Sequence, residues 1–172
     1  MDRVPIQIPS WTEFFIGLAF AVSQRSPDGE TKHGCVIVNK HKHILGVGFN
    51  GFPRGANDAV LPNLRPNKYR WMYHSERNAL ANCETKPWNG TAYVTGRCCN
   101  DCLYELHQHG IIRVNIADKH GSHIIKQEDL DWQTDFCKQT GLELVFVKPD
   151  LSWLNVLGKK VTEENFWNPQ MV

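Results

Sequence analysis

Tyr93-Val94-Thr95-Gly96-Arg97-Cys98-Cys99-Asn100-Asp101-Cys102, read together with His74-Ser75-Glu76, decides how the chain is organised. A Cys-x-x-Cys pair at the start of a helix puts two thiolates on one side of the first turn, where unpaired N–H groups favour the ionised sulfur. A histidine from a neighbouring helix can supply a third ligand, and three protein ligands leave one corner of a zinc site open. That count separates catalytic zinc from structural zinc closed by four protein ligands. Cys99 and Cys102 fit the role better than Cys98, because a three-residue separation keeps both sulfurs on one side of the turn. His74 and Glu76 are two apart, a spacing that does not bring side chains together on a regular helix. Both are therefore expected in a first turn, the imidazole as ligand and the carboxylate reaching the open corner from another side.

Composition limits what such a site can be attached to. The chain has 172 residues with 41% hydrophobic content, enough for one domain with a real core. One domain over 1–150 is expected, followed by a tail over 151–172 packing on the core or on a neighbouring subunit. Nineteen basic and 18 acidic residues give a formal charge of +1, so no global field recruits a nucleic acid, whose binding draws on many Lys or Arg contacts. A small anionic metabolite remains compatible. No run of eighteen apolar residues exists and Met1-Asp2-Arg3-Val4-Pro5 lacks a signal peptide's apolar segment, so a cytoplasmic protein without membrane partners is expected. Six cysteines, three of them within five positions, favour metal over a disulfide scaffold.

Along the chain, Ser10-Trp11-Thr12-Glu13 is a capping box opening a helix to about residue 24, with Phe14, Phe15, Leu18, Ala19 and Val22 as its apolar face. Strands follow at 34–38 and 44–49, joined tightly enough to be an antiparallel hairpin. Residues 50–73 carry Gly, Pro, Asn and Arg without periodicity, a connection long enough to be functional. Then come a helix over 74–82, a strand over 91–95, a helix over 100–109 ending at Gly110, a strand over 111–116, a helix over 128–139 stopped by Gly141, and a strand over 142–147. Two strand–helix–strand units imply parallel pairing. The sum is an α/β chain, three-layer α/β/α, with a five-stranded mixed sheet and both ligand-bearing helices starting at one sheet end, where such sheets bind ligands.

His-x-Glu followed by Pro-Cys-x-x-Cys is the signature of the zinc nucleobase deaminases. This chain is similar to it, with Cys98 where the signature has proline. Gly48-Phe49-Asn50-Gly51-Phe52-Pro53-Arg54-Gly55, followed by Asp58-Ala59-Val60-Leu61-Pro62, resembles the asparagine-glycine loop of the deoxycytidylate (dCMP) deaminases. His74-Ser75-Glu76-Arg77-Asn78-Ala79 is similar to that family's His-Ala-Glu-x-Asn-Ala, with Ser75 replacing alanine, and Asp118-Lys119 has a counterpart too. The resemblance runs from about residue 10 to residue 147. It implies a cytidine deaminase-like fold, Zn2+ on His74, Cys99 and Cys102, and Glu76 as the catalytic proton carrier. It also implies Asn50 and the Ser75 backbone against the substrate.

For a 5′-phosphate the sequence offers Arg25, Lys32, Arg54 and Lys119. The family's regulation implies dCTP as activator, with Mg2+, and dTTP as inhibitor. Gly51, Phe52, Arg54, Asn57 and Asp58 are the candidate effector residues, in a homo-oligomer of hexamer type. The function so implied is hydrolytic deamination of dCMP to dUMP and ammonia, feeding thymidylate synthesis. Two other readings stay open. One is an RNA or single-stranded DNA cytosine or adenine deaminase, for which Arg70, Trp71 and Tyr73 speak; the other is an inactive nucleotide-binding regulator, against which Glu76 and the three-ligand count speak.

Overall fold

Alternating apolar strands and capped helices assemble in the order the sequence predicts. The structure is a computed structural model and describes residues 8–117 and 126–155. Ser10 caps α1 (Trp11–Ser23) with both halves of the capping box made, its Oγ accepting from Glu13 N at 3.2 Å and Glu13 Oε2 accepting from Ser10 N at 2.8 Å. Then follow β1 (Gly34–Val38), β2 (Ile44–Phe49), α2 (Ser75–Ala81), β3 (Gly90–Val94), α3 (Asn100–Gln108), β4 (Ile111–Ala117), α4 (Gln127–Thr140) and β5 (Glu143–Val147). α4 stops at Gly141, whose positive φ of 75° a glycine adopts without cost.

The sheet order is β2-β1-β3-β4-β5. β1 runs antiparallel to both β2 and β3, while β3 with β4 and β4 with β5 are parallel. Period-two alternation then divides the core. Cys35 and Ile37 face a cluster built with Ala79 of α2, Leu103 and Leu106 of α3 and Phe136 of α4; Val36, Val38 and Tyr93 face Phe15, Ile16 and Ala19 of α1. Three helices therefore cover one face and α1 the other, the three-layer arrangement expected.

Two local readings are corrected. The buried face of α1 is Phe15, Ile16, Gly17, Ala19 and Ser23, not a stripe through Phe14, which is exposed and stacks on Trp153 with ring centroids 5.8 Å apart. The tail returns over this helix: Leu151 packs with the α1 cluster, and Trp153 covers Phe14. The 50–73 connection is not wholly irregular, for Asn67–Arg70 forms a 3-10 turn and Gly51 exchanges backbone bonds with Tyr73 at 3.0 and 2.7 Å, closing the loop on itself. The rest of the tail, 156–172, lies outside the described residues. Among those described, no helix is long and apolar enough to cross a membrane.

β2 positions the first ligand helix by what it lacks. A Cβ at Gly48 would overlap Ala79 N and Ser75 O, and one at Gly46 would overlap Ala79 O, so these two glycines let α2 lie directly on the sheet. Gly48→Ala is expected to cost about 1–3 kcal/mol in urea unfolding, as overpacking does. It should also weaken metal retention, since the helix pushed away begins at His74. An unchanged urea midpoint would contradict this account.

Candidate active site

β2 and β3 both end at the sheet edge where β1 begins, and the two ligand-bearing helices start there. His74 is the N-cap of α2 and Cys99 the N-cap of α3, both extended and without a side-chain cap bond, so their side chains are available to each other. His74 Nδ1 lies 3.4 Å from Cys99 Sγ and 3.4 Å from Cys102 Sγ. The three donor atoms all fall within 4.8 Å of one another. Tetrahedral zinc, with bonds of about 2.3 Å to sulfur and 2.0–2.1 Å to nitrogen, sets ligand N and S about 3.5 Å apart. The donor set and its spacing therefore fit zinc, with Nδ1 as the ring nitrogen used.

Charge in this cluster is shared unevenly. The Cys99 thiol is pulled down to about 4, chiefly by the hydrogen bond from Cys102 and further by His74. Cys102, which keeps the shared proton beside that thiolate, is pushed up by the same bond and by burial. His74 is raised, first by its bond to Cys99. Cys98 is fully buried and stands outside the donor set; burial first, then the Glu76 charge, keep its thiol neutral.

Glu76 sits in the first turn of α2, as its spacing from His74 requires, and is only 6% exposed. Its Oε2 accepts from Ser75 Oγ at 2.8 Å, and the Cys98 thiol is a second hydrogen-bond partner. Both departures from the family signature, serine for alanine and cysteine for proline, thus bring a proton donor to this carboxylate. A cavity of about 600 Å³ opens in front of it, lined by His74, Ser75, Glu76, Cys99, Asn50 and, farther out, Arg65, Lys68, Arg97 and Lys126.

One wall is a buried polar network that sequence reasoning missed. Lys68 Nζ is 2.6 Å from Asp28 Oδ1 and 3.1 Å from Glu30 Oε2, with the Lys68 and Asp28 side chains each 3% exposed. Asp28 Oδ1 also accepts from Glu30 N and Thr31 N, and Asp28 Oδ2 from Asn50 Nδ2. Asn50 spends its other amide proton on Thr31 O and accepts from His33 N at 2.7 Å. The contacts of Lys68 and Asn50 join positions 17 to 40 apart and have no local signal in the chain; only the length of the loop hinted at them.

The opposite wall carries a second such residue. Gln133 of α4 is 2% exposed, and its Nε2 donates to Cys98 O at 3.2 Å and Asn100 Oδ1 at 3.0 Å while its Oε1 accepts from Arg97 Nε at 3.1 Å. It holds the ligand turn against α4.

Other expected residues are not brought here. Arg25, Lys32 and Arg54 do not line the cavity; Lys32 Nζ bonds Gln24 O, and the Arg54 guanidinium bonds Asn82 Oδ1. Each was chosen for standing on a loop near an element end, which fixes neither direction nor depth. Lys119 lies outside the described residues. Gly51, Phe52, Arg54, Asn57 and Asp58 lie on the 51–64 loop beyond the cavity lining, with Gly51 buried, Asp58 exposed and Asn57 capping Ala59 N.

Residues 9–118 match the family described as the cytidine and deoxycytidylate deaminase zinc-binding region. Human deoxycytidylate deaminase is 38% identical over 111 residues, 60% of this chain and 62% of that protein, so the chain spans about 62% of the length of this curated relative. An uncharacterized deaminase of Aliivibrio fischeri is 30% identical over 145 residues, covering 84% of this chain and 98% of that one. The crystal structure of dCMP deaminase from cyanophage S-TIM5, in complex with dCMP and dUMP, has a TM-score of 0.65 at 23% identity over 83% of this chain and 100% of that chain. Its apo form gives 0.62 at 24% identity over 82% and 100%. The fold is the same.

Two measurements check this geometry. Zinc needs both sulfurs ionised and the imidazole neutral, so binding must expel the protons held by Cys102 and His74; roughly one to two protons per metal should appear in weakly buffered solution, and affinity should fall as pH falls. Zinc uptake without proton release would refute that charge distribution. Lys68→Met leaves the Asp28 carboxylate buried without its cation and is expected to cost about 3–5 kcal/mol. The Asp28 carboxyl is held below its ordinary value by Lys68 and backbone N–H donors, which outweigh burial. Its contribution is therefore present above about pH 4 and lost as pH falls through the lowered value, so the stability gap between wild type and Lys68→Met should narrow in acid.

Proposed function

The chain belongs to the cytidine and deoxycytidylate deaminase zinc-binding family, and from that premise we propose that it hydrolyses dCMP to dUMP and ammonia, supplying dUMP for thymidylate synthesis. The observation that carries this reading is His74 Nδ1 at 3.4 Å from each of two sulfurs, with the buried Glu76 carboxylate beside them in an open cavity. The relatives named deoxycytidylate deaminase support the choice of substrate.

Bound by His74, Cys99 and Cys102, zinc supplies a Lewis acid able to bring the pKa of water to about 7. The protein's own residues do the rest. Glu76 takes a proton from the attacking water and delivers it to N3 of the pyrimidine, then carries a second proton to the departing amine. As the bond from oxygen to C4 forms, the N3=C4 double bond opens and N3 takes one water proton; the C4–N bond to the amine then breaks, and the other water proton leaves with ammonia. Ser75 Oγ and the Cys98 thiol hold the carboxylate in place during both transfers. The Ser75 N–H, in the first turn of α2, suits the pyrimidine carbonyl. Asn50 has donated both amide protons elsewhere, so it meets the sugar through the remaining lone pair of Oδ1, as an acceptor from a hydroxyl.

Regulation by dCTP and dTTP through Gly51, Phe52, Arg54, Asn57 and Asp58 belongs to the same proposal. It is supported by a loop that lies beyond the cavity lining, where an effector would not compete with substrate. A second reading is favoured by the exposure of Tyr69, which lines the cavity, and of Trp71 and Tyr73: such rings can stack bases of a single strand.

The purified wild type is expected to release ammonia from dCMP. Glu76→Gln should retain zinc and lose about 10²–10⁴-fold in kcat, the usual worth of a positioned proton carrier. Full activity in that variant would count against the mechanism, and turnover of oligonucleotides without turnover of dCMP would favour the second reading.

A further inference from the structure

Among the described residues, four Lys and Arg side chains line the cavity in front of Glu76, and three of them are already spoken for by carboxylates. Lys68 is held by Asp28 and Glu30, and Arg65 reaches Glu30 Oε1 at 3.4 Å while bonding Tyr69 OH and Thr31 Oγ1. Two cations and two carboxylates leave that wall neutral. Lys126 Nζ lies 3.3 Å from Glu128 Oε1, both side chains about three-quarters exposed. Arg97 is different. Its Nε donates to Gln133 Oε1 and its guanidinium lies 4.8 Å over the Phe146 ring, so one edge and one face are fixed. Among the described residues its Nη groups bond to no carboxylate. The acids on that side have other partners: Asp101 faces Arg77 at 3.6 Å and Asp129 accepts from Asn100 Nδ2 at 2.7 Å.

We propose that Arg97 is the specificity-determining residue that binds the 5′-phosphate of a pyrimidine nucleoside monophosphate. The proposal rests on the deaminase reading of the same site. A phosphate monoester brings a charge of about −1.5 to −2 at neutral pH, and a planar guanidinium with one edge unengaged meets two of its oxygens at once. Gln133 adds the geometry. The same side chain that holds Arg97 also holds Cys98 O and Asn100 Oδ1, on either side of the ligand Cys99. The phosphate cation and the metal ligands are thereby fixed to one support, so a nucleotide gripped at Arg97 presents its base at a set distance from Glu76. An uncharged nucleoside gains nothing from this residue.

The test is calorimetric binding of dUMP and of deoxyuridine to the zinc-loaded wild type and to Arg97→Ala and Arg97→Lys, with ammonia release from dCMP measured in parallel. In the wild type dUMP should bind more tightly than deoxyuridine. In Arg97→Ala that preference should collapse by roughly 10- to 100-fold, the worth of a charge-assisted bidentate contact, and Arg97→Lys should recover part of it. Zinc content reports whether the ligand turn survives, and the lysine variant keeps the test valid if the alanine variant does not fold. A preference unchanged in both variants, or absent in the wild type, overturns the proposal. Wild-type protein that prefers dUMP through Arg97 yet releases no ammonia leaves the phosphate site standing and removes the deaminase reading; turnover of dCMP with an Arg97-independent preference does the reverse.

Discussion

One imidazole nitrogen held equally far from two sulfurs on another helix is the contact that the architecture makes possible. Because β1 runs antiparallel to both β2 and β3, those two strands end on the same side of the sheet, separated by a single strand, about 10 Å at the usual spacing. Each then leads to a helix whose N-cap belongs to the candidate metal site, His74 for α2 and Cys99 for α3. Helix starts carry unpaired N–H groups and the positive end of the dipole, which suit thiolates and a developing anion alike. The glycines of β2 supply the last requirement, a helix close enough to the sheet for its first turn to reach across.

The long loop between β2 and α2 is held by buried charge. Taking Lys68 and Asp28 out of water is costly unless both charges are well partnered, and here Glu30 joins Asp28 on the amine while two backbone N–H groups and Asn50 donate to the carboxylate. A network of this kind contributes less to raw stability than to uniqueness of shape, because any slip of the loop strands a charge. What it shapes is a wall of the cavity in which two cations are matched by two carboxylates. Across the cavity, the guanidinium of Arg97 lies on the side supported by α4.

Much of this was readable in the chain. The capping box at Ser10, the hairpin, the two strand–helix–strand units and the stop at Gly141 are signals of short range, set by dihedral preference and by which orphan backbone groups need a partner. His74, Glu76, Cys99 and Cys102 were readable because metal chemistry demands particular residue types at particular spacings. The basic residues were not. A lysine or arginine on a loop has no spacing rule, and its long side chain can point several ways, so the sequence offers Arg25, Lys32, Arg54 and Lys119 alike and does not single out Arg97, which lines the cavity.

By itself the sequence determined the element order, the mixed sheet and the identity of the donor atoms, all of which follow from local propensity and ligand chemistry. Only the tertiary structure decided which imidazole nitrogen faces the sulfurs, that Cys98 is a buried thiol beside Glu76, and that Asn50 is locked by Asp28. The physical reason is range. Those outcomes depend on groups brought together from 22 to 28 positions apart, as with Asn50 and Asp28 or Cys102 and His74, and direction at such a separation is set by packing.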